Sequence, residues 1–183
     1  MSALALLVSG PPASGKTTLG RALAGHLGAC LLDLDVVAGA LTETITRLLG
    51  TDDLDARELA GDVRAARYES LLATAEDNLR VGTPVVLVAP FSTERANPAR
   101  WLDLHGRLAE AGGAARLVWL RLPPEELVRR LRARDAGRDS AKIADPAAFL
   151  ARHPVGPPAI EHLAVDATQD ITMQLAGVLR AIS

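Results

Sequence analysis

Two glycines separated by four residues, then a lysine and two hydroxyl side chains, make up the run Gly10-Pro11-Pro12-Ala13-Ser14-Gly15-Lys16-Thr17-Thr18. The glycines let a loop wrap backbone N–H groups around phosphate oxygens with no Cβ in the way. Pro12, Ala13 and Ser14, between the two glycines, are expected to bind the nucleotide with them. Lys16 is placed to reach the β- and γ-phosphates, the Thr17 hydroxyl to ligate Mg²⁺, and Thr18 to bond the α-phosphate. An apolar run at 3–9 precedes the loop, and a helical pattern at 17–27 follows it. The helix therefore aims its N-terminal dipole at the same anion. This is the sequence pattern of a phosphate-binding loop that takes ATP with Mg²⁺.

A second cluster of chemistry lies at Leu32-Asp33-Leu34-Asp35, where a short apolar run ends. Open α/β sheets bind ligands at the carboxyl ends of their strands. Residues two apart on a strand share a face, so both carboxylates can point at one site. Phosphoryl transfer needs a metal held in place and an acceptor hydroxyl relieved of its proton, and two acids can divide that labour. Either can instead cap the following helix, Asp35 being the better candidate. The strand expected at 84–89 ends in Pro90 and Phe91 and offers no acid. That counts against motor-type ATPases, which hold the metal there, and leaves Asp33 and Asp35 as the nearby carboxylates.

The elements that must position these groups follow from the alternation of apolar runs with amphipathic stretches, the pattern of stacked βαβ units around a mostly parallel sheet. Strands are expected at 3–9, 30–34, 84–89, 116–122 and 163–166. Helices are expected at 17–27, 36–49, 59–82, 101–111, from 123 onward, and at 171–182. A charged, Gly- and Pro-rich stretch at about 130–158 reads as a lid with one short helix. With 183 residues, 49% of them apolar and 23% charged, the chain suits a single globular domain over 1–183.

Composition excludes several classes. A net charge of −2 provides no global basic field for nucleic acid, and 3% aromatics leave little on which to stack bases. Cys30 is the only cysteine, so no intramolecular disulfide can form, and a buried small hydrophobe is the role its apolar run suggests. No run of 18 apolar residues suggests a membrane span, and the expectation is a cytoplasmic protein.

The loop followed by Leu-Asp-Leu-Asp resembles the small P-loop kinases of metabolites and antibiotics: adenylylsulfate kinase, gluconate kinase and chloramphenicol phosphotransferase, with polynucleotide 5′-kinases as close relatives. The resemblance implies an α/β P-loop NTPase fold, with a five-stranded, mostly parallel sheet sandwiched by helices and an arginine-bearing helical lid. It implies that Asp35 or Asp33 is the general base, Asp35 being favoured, while the other orients Mg²⁺ through water. It further implies a monomer or homodimer.

Pro90-Phe91-Ser92-Thr93-Glu94-Arg95 is similar to the acceptor-holding segment of adenylylsulfate kinases. On that likeness Phe91 encloses the substrate while Arg95 and Arg100 pair with its anion; a simple turn with a solvated Arg95 is the alternative. Helical spacing puts Arg57, Arg64 and Tyr68 near one face, with Arg67 at its edge. That face is either the wall of an acceptor pocket or a solvated surface. In the basic stretch 129–139, Arg134 and Arg138 are the candidates to stabilise transferred charge, Arg130 to hold the nucleotide, and Lys142 to reach phosphate. Pairing with Asp135 and Asp139 on a solvated helix is the alternative. The resulting expectation is an ATP-dependent kinase acting on a hydroxyl of a small molecule. A polynucleotide 5′-hydroxyl kinase and a nucleotide-binding regulator are the competing readings.

Overall fold

Five runs rich in Val, Leu and Ala form the strands of one parallel sheet in the computed structural model, which describes residues 2–50, 61–134 and 156–183. The strands are β1 (Ala3–Ser9), β2 (Cys30–Asp33), β3 (Val85–Val88), β4 (Gly113–Arg121) and β5 (Leu163–Asp166), in the order β2-β3-β1-β4-β5. Between them lie α1 (Lys16–Leu27), α2 (Leu34–Val37), α3 (Gly39–Leu49), α4 (Asp62–Arg80), α5 (Ser92–Ala96), α6 (Pro98–Glu110) and α7 (Pro124–Arg134), with α8 (Ile171–Ile182) last.

Alternation along the central strands builds two cores. Leu6, Val8, Val118 and Leu120 pack with Leu19 and Leu23 of α1, Leu127 and Leu131 of α7, and Val178 of α8. Ala5, Leu7, Leu87 and Leu117 pack on the other face with Leu71, Ala75 and Leu79 of α4 and Leu104 and Leu108 of α6. Each such side chain contributes about 1.5–3 kcal/mol by leaving water. Because both faces are covered, the strands read as continuous apolar runs. One glycine is required for this packing. A Cβ on Gly20 would lie 2.4 Å from a Val88 methyl, so α1 can sit against β3 only if residue 20 has no side chain.

The all-parallel five-stranded sheet matches the expected fold class, and several boundaries move. The helix expected at 36–49 is two helices meeting at Ala38, because Asp33 caps a helix that starts at once at Leu34. α6 begins at Pro98 instead of 101, since Asn97 accepts hydrogen bonds from the N–H groups of Ala99 and Arg100 and Pro98 suits the first helical turn. β4 begins at Gly113, three residues early, where a Cβ would meet a Leu79 methyl at 2.7 Å. Residues 130–134, expected in the lid, complete α7. The rest of that lid up to 155, with Arg138 and Lys142, lies outside the described residues, as does Arg57.

Candidate active site

The carboxyl ends of β1, β2 and β3 place three segments side by side: the loop 10–15, the acids at 33–35, and residues 89–96. Ser9, the last residue of β1, donates its hydroxyl to the Pro90 carbonyl at 2.7 Å and ties the first segment to the third.

The loop has the shape its residue types predict. A Cβ on Gly10 would meet Ser14 Oγ at 2.7 Å and the Leu120 Cβ at 2.9 Å, so the loop lies directly on β4. Ala13 and Gly15 hold positive φ of 58° and 92°, turning successive N–H groups inward. Lys16 folds its ammonium over this bend and donates to the carbonyls of Gly10 (3.1 Å) and Pro11 (2.8 Å). Two features suit a bound polyphosphate. α1 has no side-chain cap on its first N–H groups and no acid within its own first turn, so those N–H groups are left to an anion. Among the described residues, the buried Ser14 hydroxyl oxygen has no hydrogen-bond partner. Thr18 is exposed on the first turn of α1.

The two acids sit in different environments. Asp33 is 7% exposed, and its two oxygens do separate work. Oδ2 accepts the Thr17 hydroxyl at 2.7 Å, and Oδ1 accepts the Asp35 N–H at 3.0 Å. The capping aspartate is therefore Asp33, correcting the preference for Asp35. Asp35 is not a strand residue sharing a face with Asp33 but lies in the first turn of α2. Helix onset at Leu34 swings its side chain out, and the carboxylate is 64% exposed. It reaches across to α4, where Arg67 Nη2 meets Oδ1 at 3.0 Å. Thr17 and Asp33 form the oxygen pair on which a Mg²⁺ would sit, a hard cation beside a hydroxyl and a carboxylate.

The third segment departs from expectation. Phe91 is fully buried at positive φ (43°) and belongs to the core with Leu71, Leu87 and Leu104. Its ring meets Tyr68 edge-on at 5.9 Å, and its N–H donates to the Tyr68 hydroxyl at 3.0 Å. It therefore packs into the core instead of presenting its ring at the surface of the site, because α4 brings an aromatic partner that covers it. Burial pushes the Tyr68 phenol up to about 12, with the Phe91 hydrogen bond opposing and the Glu94 charge adding to the shift. Arg95 lays its guanidinium over the buried Trp119 ring at 4.7 Å, and this partial burial lowers its pKa.

Between α4 and α5 lies a hollow of about 260 Å³ lined by Gly61, Arg64, Ala65, Tyr68, Thr93 and Glu94. Arg64 stands over the Tyr68 ring at 5.6 Å. Glu94 is the residue that sequence reasoning passed over. An acid between Thr93 and Arg95 at the ligand edge was a usable signal, but nothing local says that it faces α4.

At the far side, Arg130 donates to Glu126 at 2.7 Å and to the Ala167 carbonyl, after β5, at 2.9 Å. Arg134 is the last residue of α7, and its side chain lies outside what is described. No described group of His, Cys, Asp or Glu makes a metal cluster, and no described helix is long and apolar enough to cross a membrane.

Residues 6–153 match the family described as AAA domain. The chain is 34% identical over 133 residues to a shikimate kinase of Nostoc punctiforme, covering 72% of this chain and 61% of that one. It is 33% identical over 107 residues to a cytidylate kinase of Azorhizobium caulinodans, covering 57% and 48%. It thus spans between about half and two thirds of these curated relatives. The structure is similar to that of the Mycobacterium tuberculosis APS kinase solved with AMPPNP and APS, with a TM-score of 0.68 at 19% identity over 99% and 98% of the two chains. That likeness is one of fold.

Proposed function

This chain belongs to the AAA-domain family and has the fold of the P-loop kinases, and from that premise we propose that it transfers the γ-phosphate of ATP to a hydroxyl of a small molecule. The observation that carries the reading is the division of labour at β2. Asp33 is engaged by the Thr17 hydroxyl beside the phosphate loop, and Asp35 stands exposed toward the acceptor side. A protein that only bound or slowly hydrolysed nucleotide would need the first acid and not the second.

In this reading the loop N–H groups and Lys16 hold the phosphates, and Thr17 with Asp33 holds Mg²⁺. When bound there, the metal would supply charge neutralisation to the transferred phosphate. Asp35 accepts the proton of the acceptor hydroxyl as its oxygen bonds to the γ-phosphorus and the bond to the ADP oxygen breaks. Arg67 fixes the rotamer of Asp35. Arg134 and Arg138 are proposed to close over the transferred charge, and Arg130 to steady the nucleotide. Arg57 and Tyr68 would bound the acceptor; Arg95, seated on Trp119, would act from behind that wall.

The test uses γ-labelled ATP with hydroxyl metabolites and antibiotics, nucleoside monophosphates and 5′-hydroxyl oligonucleotides. Label is expected on a hydroxylated small molecule. Asp35→Asn should lower kcat on the order of 10²- to 10⁴-fold with ATP affinity nearly unchanged. Label on the oligonucleotide, label on a nucleoside monophosphate, or no transfer to any acceptor counts against the proposal.

A further inference from the structure

Glu94 lines the hollow between α4 and α5, and among the described residues its buried Oε2 has no hydrogen-bond partner. A carboxylate oxygen only accepts, so what satisfies it must bring an O–H or N–H. A buried acceptor left unsatisfied is costly, which makes this atom a place where a ligand gains more than a surface contact would give. Two neighbours narrow the ligand further. The Tyr68 oxygen already accepts the Phe91 N–H, and its phenol stays protonated, so it has a proton to donate. Arg64 on the same wall brings a cation.

The hollow thus joins an acceptor-only group, a donor and a cation. An ammonium compound would satisfy Glu94 but meet Arg64, and a phosphate or carboxylate compound would suit Arg64 but meet Glu94. An uncharged molecule with several hydroxyls meets neither repulsion and matches both. Tyr68 and Arg64 lie one turn apart on α4, beside the Arg67 that holds Asp35. α4 thus carries both a wall of the hollow and the arginine that holds Asp35.

Resting on the kinase reading, we infer that Glu94 is the specificity-determining residue of the acceptor pocket and that the acceptor is an uncharged polyhydroxylated small molecule of the sugar or polyol class. The transferred phosphate goes to one hydroxyl, while another donates to Glu94.

The experiment titrates sugars and polyols, with their amino and acid counterparts, into the full chain holding a non-hydrolysable ATP analogue and Mg²⁺, and reads binding by calorimetry. An uncharged polyol should bind best. Glu94→Gln should weaken it about 10- to 100-fold with unchanged affinity for the analogue, and Glu94→Asp should recover part of the loss. In turnover the same Gln variant should raise KM far more than it lowers kcat. Equal polyol binding by wild type and Glu94→Gln overturns the inference, as does tighter binding of an amino or acid compound, or no binding at all. Polyol binding that depends on Glu94 without phosphate transfer to the polyol overturns the kinase reading and leaves this one standing. Transfer to a single-hydroxyl acceptor, indifferent to Glu94→Gln, does the reverse.

Discussion

Tyr68 is the chain's single tyrosine, so its ionisation can be followed at 295 nm without a second phenol in the signal. Burial first, and the Glu94 charge as a smaller contribution, raise its pKa from 10.0 to about 12, while the Phe91 N–H, Arg64 and Arg67 oppose the shift. A raised pKa means that the folded state keeps the proton longer than the unfolded one. The associated stability is therefore complete below pH 10 and lost between pH 10 and 12. The absorbance step is expected near pH 12 or together with unfolding, and earlier in Glu94→Gln. A midpoint near 10 in protein that circular dichroism shows to be folded would mean that the phenol is not buried against Phe91. Asp33 shows why residue type alone misassigned the helix cap. Both acids have cap chemistry, and only the position at which the chain leaves β2 decides which of them stands before the helix.

α4 carries Arg64 and Tyr68 on the wall of the hollow and Arg67 against Asp35, so whatever fixes α4 fixes these groups. One fastening is Arg107 of α6, which grips Glu69 with both terminal nitrogens (2.7 and 2.6 Å) and Glu76 with its Nε. Glu76 is 9% exposed and also holds Arg80, so losing Arg107 leaves it partly paired. With Arg107 one-third exposed and Glu69 more so, Arg107→Ala is expected to cost about 1–2 kcal/mol. The Glu69 carboxyl is held below its ordinary range by Arg107, so its share of stability is present at neutral pH and fades as pH falls through that lowered pKa. Urea unfolding at pH 7 and pH 3 checks both points: the gap between wild type and Arg107→Ala should narrow in acid. Equal stability at pH 7 would show that the tie does not hold the helices together.

Across the whole molecule, the legible part was whatever a short window encodes. The run 85–88 is apolar and lies between Gly82-Thr83-Pro84 and Pro90, and Gly10 to Thr17 carries its chemistry in its spacing. What a window cannot encode is which elements meet. The strand order β2-β3-β1-β4-β5, the burial of Phe91 under Tyr68 and the facing of Glu94 toward α4 all depend on partners more than twenty residues away. The unpartnered Ser14 hydroxyl is of this kind too, and it gives the fold a measurable bias. A buried hydroxyl without a partner costs stability in the free protein and regains it when a phosphate oxygen accepts its proton. Saturating Mg²⁺-ATP at about 100 Kd should stabilise the chain by about 2.7 kcal/mol. For a protein of this size that is a Tm rise of roughly 5–10 °C. Lys16→Ala should lose most of the rise, with a small drop in the free protein's Tm from the lost bonds to the Gly10 and Pro11 carbonyls. Ser14→Ala should separate the two effects, with a free Tm equal to or above wild type and a smaller rise on adding nucleotide. A Ser14→Ala protein that is less stable when free, yet gains as much from ATP as wild type, would mean that the hydroxyl serves the loop and not its ligand.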